Sequence, residues 1–242
     1  MPALSARALL DVWERVVALP HYTRALRLWL SLSNQSEEET VNASVGQCDR
    51  GLISIYRSLF GCRVVCRASC PQCAEDHALD LNLGMFDLPF PTQGTQQLRI
   101  GKTTLEWRFP RAQTLARLAT VRSGTLDVRK ALLQDCVMDV RKGKELLAFE
   151  QWPNELPSKL ASAMAAADPM LDPRVSMTCA ACGHAWSICF DIGCFLWSEI
   201  DFAARRLMLE VHRLATAYGW SESEILEMTA ARRAAYLQMC GT

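Results

Sequence analysis

The chain has 242 residues, half of them apolar, and 26 Lys or Arg balance 26 Asp or Glu. It is long enough to bury one or two real cores, and it has no net field to draw it to nucleic acid or a membrane surface. Eleven cysteines accompany an N-terminus whose apolar residues are interrupted by Asp11, Glu14 and Arg15, and no apolar run reaches the length of a bilayer. A cytoplasmic protein is predicted, with thiols reduced or metal-bound and no disulfide lattice. Charge neutrality also weakens colloidal repulsion, which suits a protein that works against other proteins.

Residues 5–18 place Ala8, Leu9, Val12, Trp13, Val16 and Val17 on one helical stripe behind a capping Ser5. Pro20 opens a second helix carrying Ala25, Leu26, Leu28, Trp29 and Leu30, and the acidic Glu37-Glu38-Glu39 reads as a polar loop after it. A third helix from Gly46 to Phe60 closes at Gly61. Cys62 to Ser69 and Leu79 to Leu83 then form a hairpin around Cys70-Pro-Gln-Cys73, and Gln97–Ile100 with Thr103–Phe109 form another across Gly101-Lys102.

From Arg111 to Lys144 the spacing of Leu126, Val128, Leu132, Leu133, Cys136, Val137 and Val140 predicts helical pieces divided near Ser123-Gly124. Residues 99–144 hold eleven Lys or Arg against four Asp or Glu; such a surplus is ordinarily a solvated face. An Ala-rich helix covers about 155–167, and Asp168-Pro169 and Asp172-Pro173 turn the chain toward Cys179-Ala-Ala-Cys182. Beyond Gly193, Trp197, Ile200, Ala204, Leu207, Val211, Leu214 and Tyr218 keep alternating three- and four-residue spacing, a long helix whose seam should pack inside the chain. Ser221-Glu-Ser-Glu224 is a capping box for a short helix, and Thr229 caps a last one over 230–239, before Gly241.

A shift of 109 positions carries Cys70 onto Cys179 and Cys73 onto Cys182 without a gap, and the residues that follow stay in register: Leu79 with Ile188, Leu81 with Phe190, Leu83 with Ile192, Gly84 with Gly193, Phe86 with Phe195. Each unit reads as a tight Cys-x2-Cys turn with a return strand, the shape of a zinc knuckle. Structural zinc takes four soft donors and no open position, so Cys70, Cys73, Cys179 and Cys182 are the candidate ligands of one shared Zn. The fold expected is α+β and mostly helical: two knuckle hairpins share one zinc and pack with the N-terminal and C-terminal helices. Its parts are 1–90 with the first knuckle, a basic middle region over 91–170, and 171–242 with the second knuckle, intertwined in one globule.

Other chemistries fit less well. Cys66-x3-Cys70-x2-Cys73 has the spacing of radical S-adenosylmethionine iron-sulfur enzymes, but no strand-helix repeats follow it, and Cys179 and Cys182 are left unused. A redox role needs a helix after Cys-x2-Cys, and strands follow both. Cys48, Cys136, Cys189, Cys194 and Cys240 read as small buried hydrophobes, His77 as packing, His184 as a loop residue, and His21 and His212 as helical residues without a chemical role. No catalytic motif is present, so no enzymatic activity is expected; a zinc-ribbon nucleic-acid adaptor using residues 99–144 is the alternative function.

Several stretches carry a resemblance: Leu10-Asp-Val-Trp-Glu-Arg15 with Arg24-Ala-Leu26, Gly46-Gln-Cys-Asp-Arg50 to Leu59-Phe-Gly61, Cys70-Pro-Gln-Cys73, Cys182-Gly-His-Ala-Trp186, Phe190-Asp-Ile192, Phe195-Leu-Trp-Ser-Glu-Ile200, Glu210-Val-His-Arg-Leu-Ala215 and Ala217-Tyr-Gly-Trp-Ser-Glu222. Over nearly the full chain, and most densely after Cys179, the sequence resembles the T-even phage baseplate-like proteins, akin to the hub assembly chaperone, found beside contractile tail and contractile injection system genes. The resemblance implies a non-enzymatic baseplate or hub component or assembly chaperone. Its implied partners are baseplate or hub proteins of a contractile tail-like particle; the residues themselves predict no membrane partner and disfavour nucleic acid. It implies no catalytic residue. Ala74 departs from the family pattern, where Gly follows the first knuckle, and Cys48 stands where a basic residue is common.

Overall fold

In the computed structural model, residues 4–92, 94–120 and 128–240 are described. The expected division at Ser123-Gly124, the helical position of Leu126, and Gly241 fall outside them.

The Ser5 hydroxyl accepts the Ala8 N–H at 3.2 Å and starts α1 (Ala6–Val16). Pro20, with its fixed φ and no N–H, precedes α2 (His21–Leu32). A short α3 (Glu37–Asn42) follows where a polar loop was expected. There Ser36 and Glu39 form a reciprocal capping box, each side chain bonded to the other's backbone N–H, which ties off a helix too short to show an apolar stripe. Ser44 and Gln47 repeat the device at the start of α4 (Val45–Phe60).

The first hairpin pairs β1 (Arg63–Ser69) with β2 (Asp76–Asn82) and ends in a 3-10 turn over Leu83–Phe86. A four-stranded antiparallel sheet follows in the order β3 (Gln96–Ile100), β4 (Thr103–Trp107), β5 (Val137–Lys142), β6 (Glu145–Leu146), with α5 (Ala112–Ala119) and α6 (Val128–Cys136) between β4 and β5. The strand β5 corrects the helical expectation for Val137 and Val140. The register slips opposite Glu106 and Trp107, so that Leu105 faces Val140 while Trp107 faces Val137. This bulge turns both valines inward despite their three-residue spacing, which mimics a helical stripe. Leu156 and Leu160 of α7 (Leu156–Ala167) close this core over Leu105 and Trp107.

The second hairpin pairs β7 (Arg174–Thr178) with β8 (Ala185–Cys189) and runs into α8 (Ile192–Tyr218), which Gly219 terminates. The helices α9 (Glu222–Glu227) and α10 (Ala230–Cys240) fold back, and the Arg233 guanidinium donates to Glu210 at 3.0 Å and to the Met228 carbonyl at 2.7 Å. The α8 seam is used within the chain: Ile200, Ala204, Leu207 and Leu214 are buried, with Ala204 and Leu207 meeting Leu10 and Leu226. The largest core collects Leu28, Leu52, Val64, Leu81 and Phe86 with Val175, Phe190, Leu196 and Ile200, so both hairpins root in one apolar mass. Roughly 1.5–3 kcal/mol accompanies full burial of each such side chain.

Candidate metal centre

Each Cys-x2-Cys turn is built by the same two backbone bonds. Cys70 N donates to Glu75 O at 2.8 Å and Ala74 N to Cys70 O at 2.9 Å; in the second hairpin, Cys179 N donates to His184 O at 2.8 Å and Gly183 N to Cys179 O at 2.9 Å. The residue after the second cysteine is left-handed in both turns but differs in kind: Ala74 has φ 60° and Gly183 φ 74°.

The two tips meet. Cys70 Sγ lies 3.7 Å from Cys182 Sγ, Cys73 Sγ lies 3.5 Å from Cys179 Sγ, and all four sulfurs fall within 4.8 Å of one another. A tetrahedron with metal–sulfur bonds of about 2.3 Å has edges of about 3.8 Å. The sulfur cluster therefore has the dimensions for one metal ion shared by two hairpins, and an all-thiolate donor set suits zinc. Cys70 and Cys179 are buried, Cys73 and Cys182 exposed, which leaves the cluster at the surface end of the hairpins.

Cysteine protonation differs within the set. Desolvation opposes ionisation of Cys179, yet the N–H groups of Cys182 and Ala181, with His77 and Cys73, pull its thiol down to about 6. The Glu75 N–H works to lower Cys73, but hydrogen bonds with Cys179 and Cys182 push that thiol up to about 12. His77 Nε2 lies 3.3 Å from Cys179 Sγ, so His77 does more than pack: it reaches across from the first hairpin to a sulfur of the second. The 109-position alignment pairs His77 with Trp186, and their rings are 5.7 Å apart, but nothing in the sequence signalled the bond to sulfur.

Other cysteines sort as follows. Cys66 stays in β1 against the main core and outside the four-sulfur group, so the Cys-x3-Cys-x2-Cys spacing does not assemble a three-cysteine site, and small antiparallel sheets stand where a partial barrel would be needed. Cys48 and Cys136 are buried as expected; Cys189, Cys194 and Cys240 are exposed, which corrects the expectation that they fill the core. All eleven are free thiols. His184 stands outside the cluster and lies 6.2 Å from the Trp186 ring.

The basic middle region is partly neutralised from within. Arg108 and Arg111 donate to Asp135 at 2.9 and 2.6 Å, and Thr114 donates to it at 2.8 Å. Although burial opposes ionisation, these bonds hold the Asp135 carboxyl below the usual carboxylate range. No described helix is long and apolar enough to cross a membrane.

A family model described as T4 bacteriophage base plate protein matches residues 32–197, about two thirds of the chain and both hairpins. The chain belongs to that family. The match ends inside α8, so it takes in the metal-centre cysteines and leaves out α1, α9 and α10. No curated protein and no solved structure matches the chain.

Proposed function

We propose that this T4 base plate family member is a non-enzymatic, zinc-stabilised component or assembly chaperone of the baseplate or hub in a contractile tail-like injection system. The observation that carries the reading is the family match over residues 32–197. The sulfur cluster supports it: four thiolates complete a tetrahedron, leave no position for a reactive water, and so suit a structural ion. In this reading Cys70, Cys73, Cys179 and Cys182 are the zinc ligands, and the ion fixes the relative placement of chain segments about a hundred residues apart.

The α8 seam is buried within the chain, so a partner must be met elsewhere. Phe202 and Leu209 lie off that stripe and remain 65% and 51% exposed. We assign the partner contact to this side of α8, and the partner to a baseplate or hub subunit. Tagged protein expressed with its neighbouring tail genes should retain one of those subunits through purification, and Phe202→Asp with Leu209→Asp should lose it while keeping the fold. Retention of no tail subunit by the wild-type chain, from cells that make the whole particle, would rule the reading out.

A further inference from the structure

Helices α2 and α8 begin side by side. Gly193 allows this: a Cβ there would meet Ala25 Cβ at 3.1 Å, Asp191 Oδ1 at 3.2 Å and His21 Cε1 at 3.4 Å. At the junction Asp191 caps α8, its Oδ1 accepting the Cys194 N–H at 3.0 Å, while its Oδ2 lies 2.9 Å from His21 Nε2. The other imidazole nitrogen, Nδ1, lies 3.6 Å from Cys194 Sγ. Sequence reasoning gave His21 no chemical role and put Cys194 in the core; the fold sets them against each other.

Helix capping explains Asp191 but not where Nδ1 and Sγ stand. A tetrahedral ion with metal–nitrogen and metal–sulfur bonds of about 2.05 and 2.3 Å separates those two donors by about 3.6 Å. One donor atom from each of His21, Asp191 and Cys194 lies within 4.8 Å of the others.

Beside these groups lies a carboxyl whose pKa is raised to about 7 by its burial. Asp49 lines the same cavity of about 150 Å³ as His21 and Asp191, and its carboxylate accepts no hydrogen bond and forms no ion pair among the described residues. The neighbouring cation, Arg24, is committed: it donates to the carbonyls of Val16, Val17 and Leu19 and lies over the Trp197 ring at 4.3 Å.

We propose that His21, Asp191 and Cys194 form a second metal site, for one divalent cation of the zinc type, separate from the four-sulfur cluster. Its donors are the Cys194 thiolate, the His21 Nδ1 nitrogen and an Asp191 carboxylate oxygen. Three protein ligands leave the fourth position to water on the side that Asp49 lines. The ion pins the start of α8, immediately after the second hairpin, to the start of α2.

The test counts metal on the full chain. Protein stripped with chelator and reloaded with Zn²⁺ should carry two ions per chain by native mass spectrometry, and Cys194→Ser and His21→Ala should each carry one fewer. Cys70→Ser empties only the other centre and should keep this ion, so failure of the two sites is read separately. A second measurement needs no variant: Zn²⁺ should slow alkylation of Cys194 by at least about tenfold, because a metal-bound thiolate is withdrawn from reaction. Equal metal content in wild type and Cys194→Ser, together with alkylation of Cys194 indifferent to Zn²⁺, would overturn the proposal.

Discussion

The two hairpins are one unit used twice, and they differ most at the end away from the sulfurs. At the tips the backbone bonds, the cysteine spacing and the left-handed residue coincide. At the roots they part: β2 stops in a 3-10 turn, whereas β8 feeds a helix of 27 residues. Yet the roots also touch, since Phe86 stacks on Phe190 at 4.5 Å and Phe190 on Phe195 at 5.0 Å. The pair is held at both ends, by sulfur outside and by aromatic rings inside, and only the end that donates to the shared cluster had to keep its geometry. The asymmetries that remain are where the comparison can be broken.

The largest effect should come from the shared end. Because each turn supplies half of one tetrahedron, Cys70→Ser and Cys179→Ser should both abolish the ion of the four-sulfur centre and cost the same stability. A ligand present at about a thousand times its dissociation constant adds about 4 kcal/mol, so in chemical denaturation Zn²⁺ should stabilise the wild type by at least that much more than it stabilises either variant. Retention of that ion by either single variant would show that the turns bind separately.

Next in size is the strut that ties the approach to the second hairpin to the helix before the first. Asp168 is fully buried; it accepts from the Arg50 guanidinium at 2.7 and 3.0 Å and from the Met170 N–H at 3.0 Å. Removing either partner strands a buried charge, so Asp168→Asn or Arg50→Ala should cost roughly 3–5 kcal/mol by urea titration. Metal content should not change. If it fell in step with stability, the strut and the sulfur cluster would be one cooperative element.

How much of this was legible in the sequence depends on the range of the forces. The cysteine quartet could be read because two distant segments repeat the same pattern, and α8 because its stripe runs unbroken for three heptads. The capped start of α3 was equally visible: Ser36-Glu-Glu-Glu39 has the same pattern as Ser221-Glu-Ser-Glu224, but no apolar stripe followed to give it weight. The strand β5 was hidden because its bulge gives Val137 and Val140 a helical spacing, and only the pairing with β4 reveals it. His77 and the junction of His21 with Asp191 and Cys194 were invisible for a plainer reason: each joins residues 102 or more positions apart, and no pattern repeats to mark them.

His77 opposite Trp186 is the chemical asymmetry. A ring nitrogen 3.3 Å from Cys179 Sγ orients that sulfur, a role the indole cannot take from its own position. His77→Phe keeps the ring but removes the bond, and should weaken metal binding by about 10–100-fold in chelator competition. Trp186→Phe should leave affinity unchanged. Equal losses in the two variants would mean that ring packing, and not the nitrogen, supports the centre.

Ala74 opposite Gly183 is the smallest difference and the cleanest, because the backbone hydrogen bonds of the two turns are the same. A left-handed residue with a Cβ costs roughly 1–2 kcal/mol, and glycine returns part of that through its larger unfolded-state entropy. Ala74→Gly should therefore stabilise the protein by about 1 kcal/mol, and Gly183→Ala should destabilise it by about as much, with the same slope in urea. The Gly183 position has no atom near an added Cβ, so the cost there is backbone strain and not a clash. If both substitutions destabilise, the first turn has adjusted its surroundings to a methyl group that the second never held, and the two tips are less alike than their hydrogen bonds suggest.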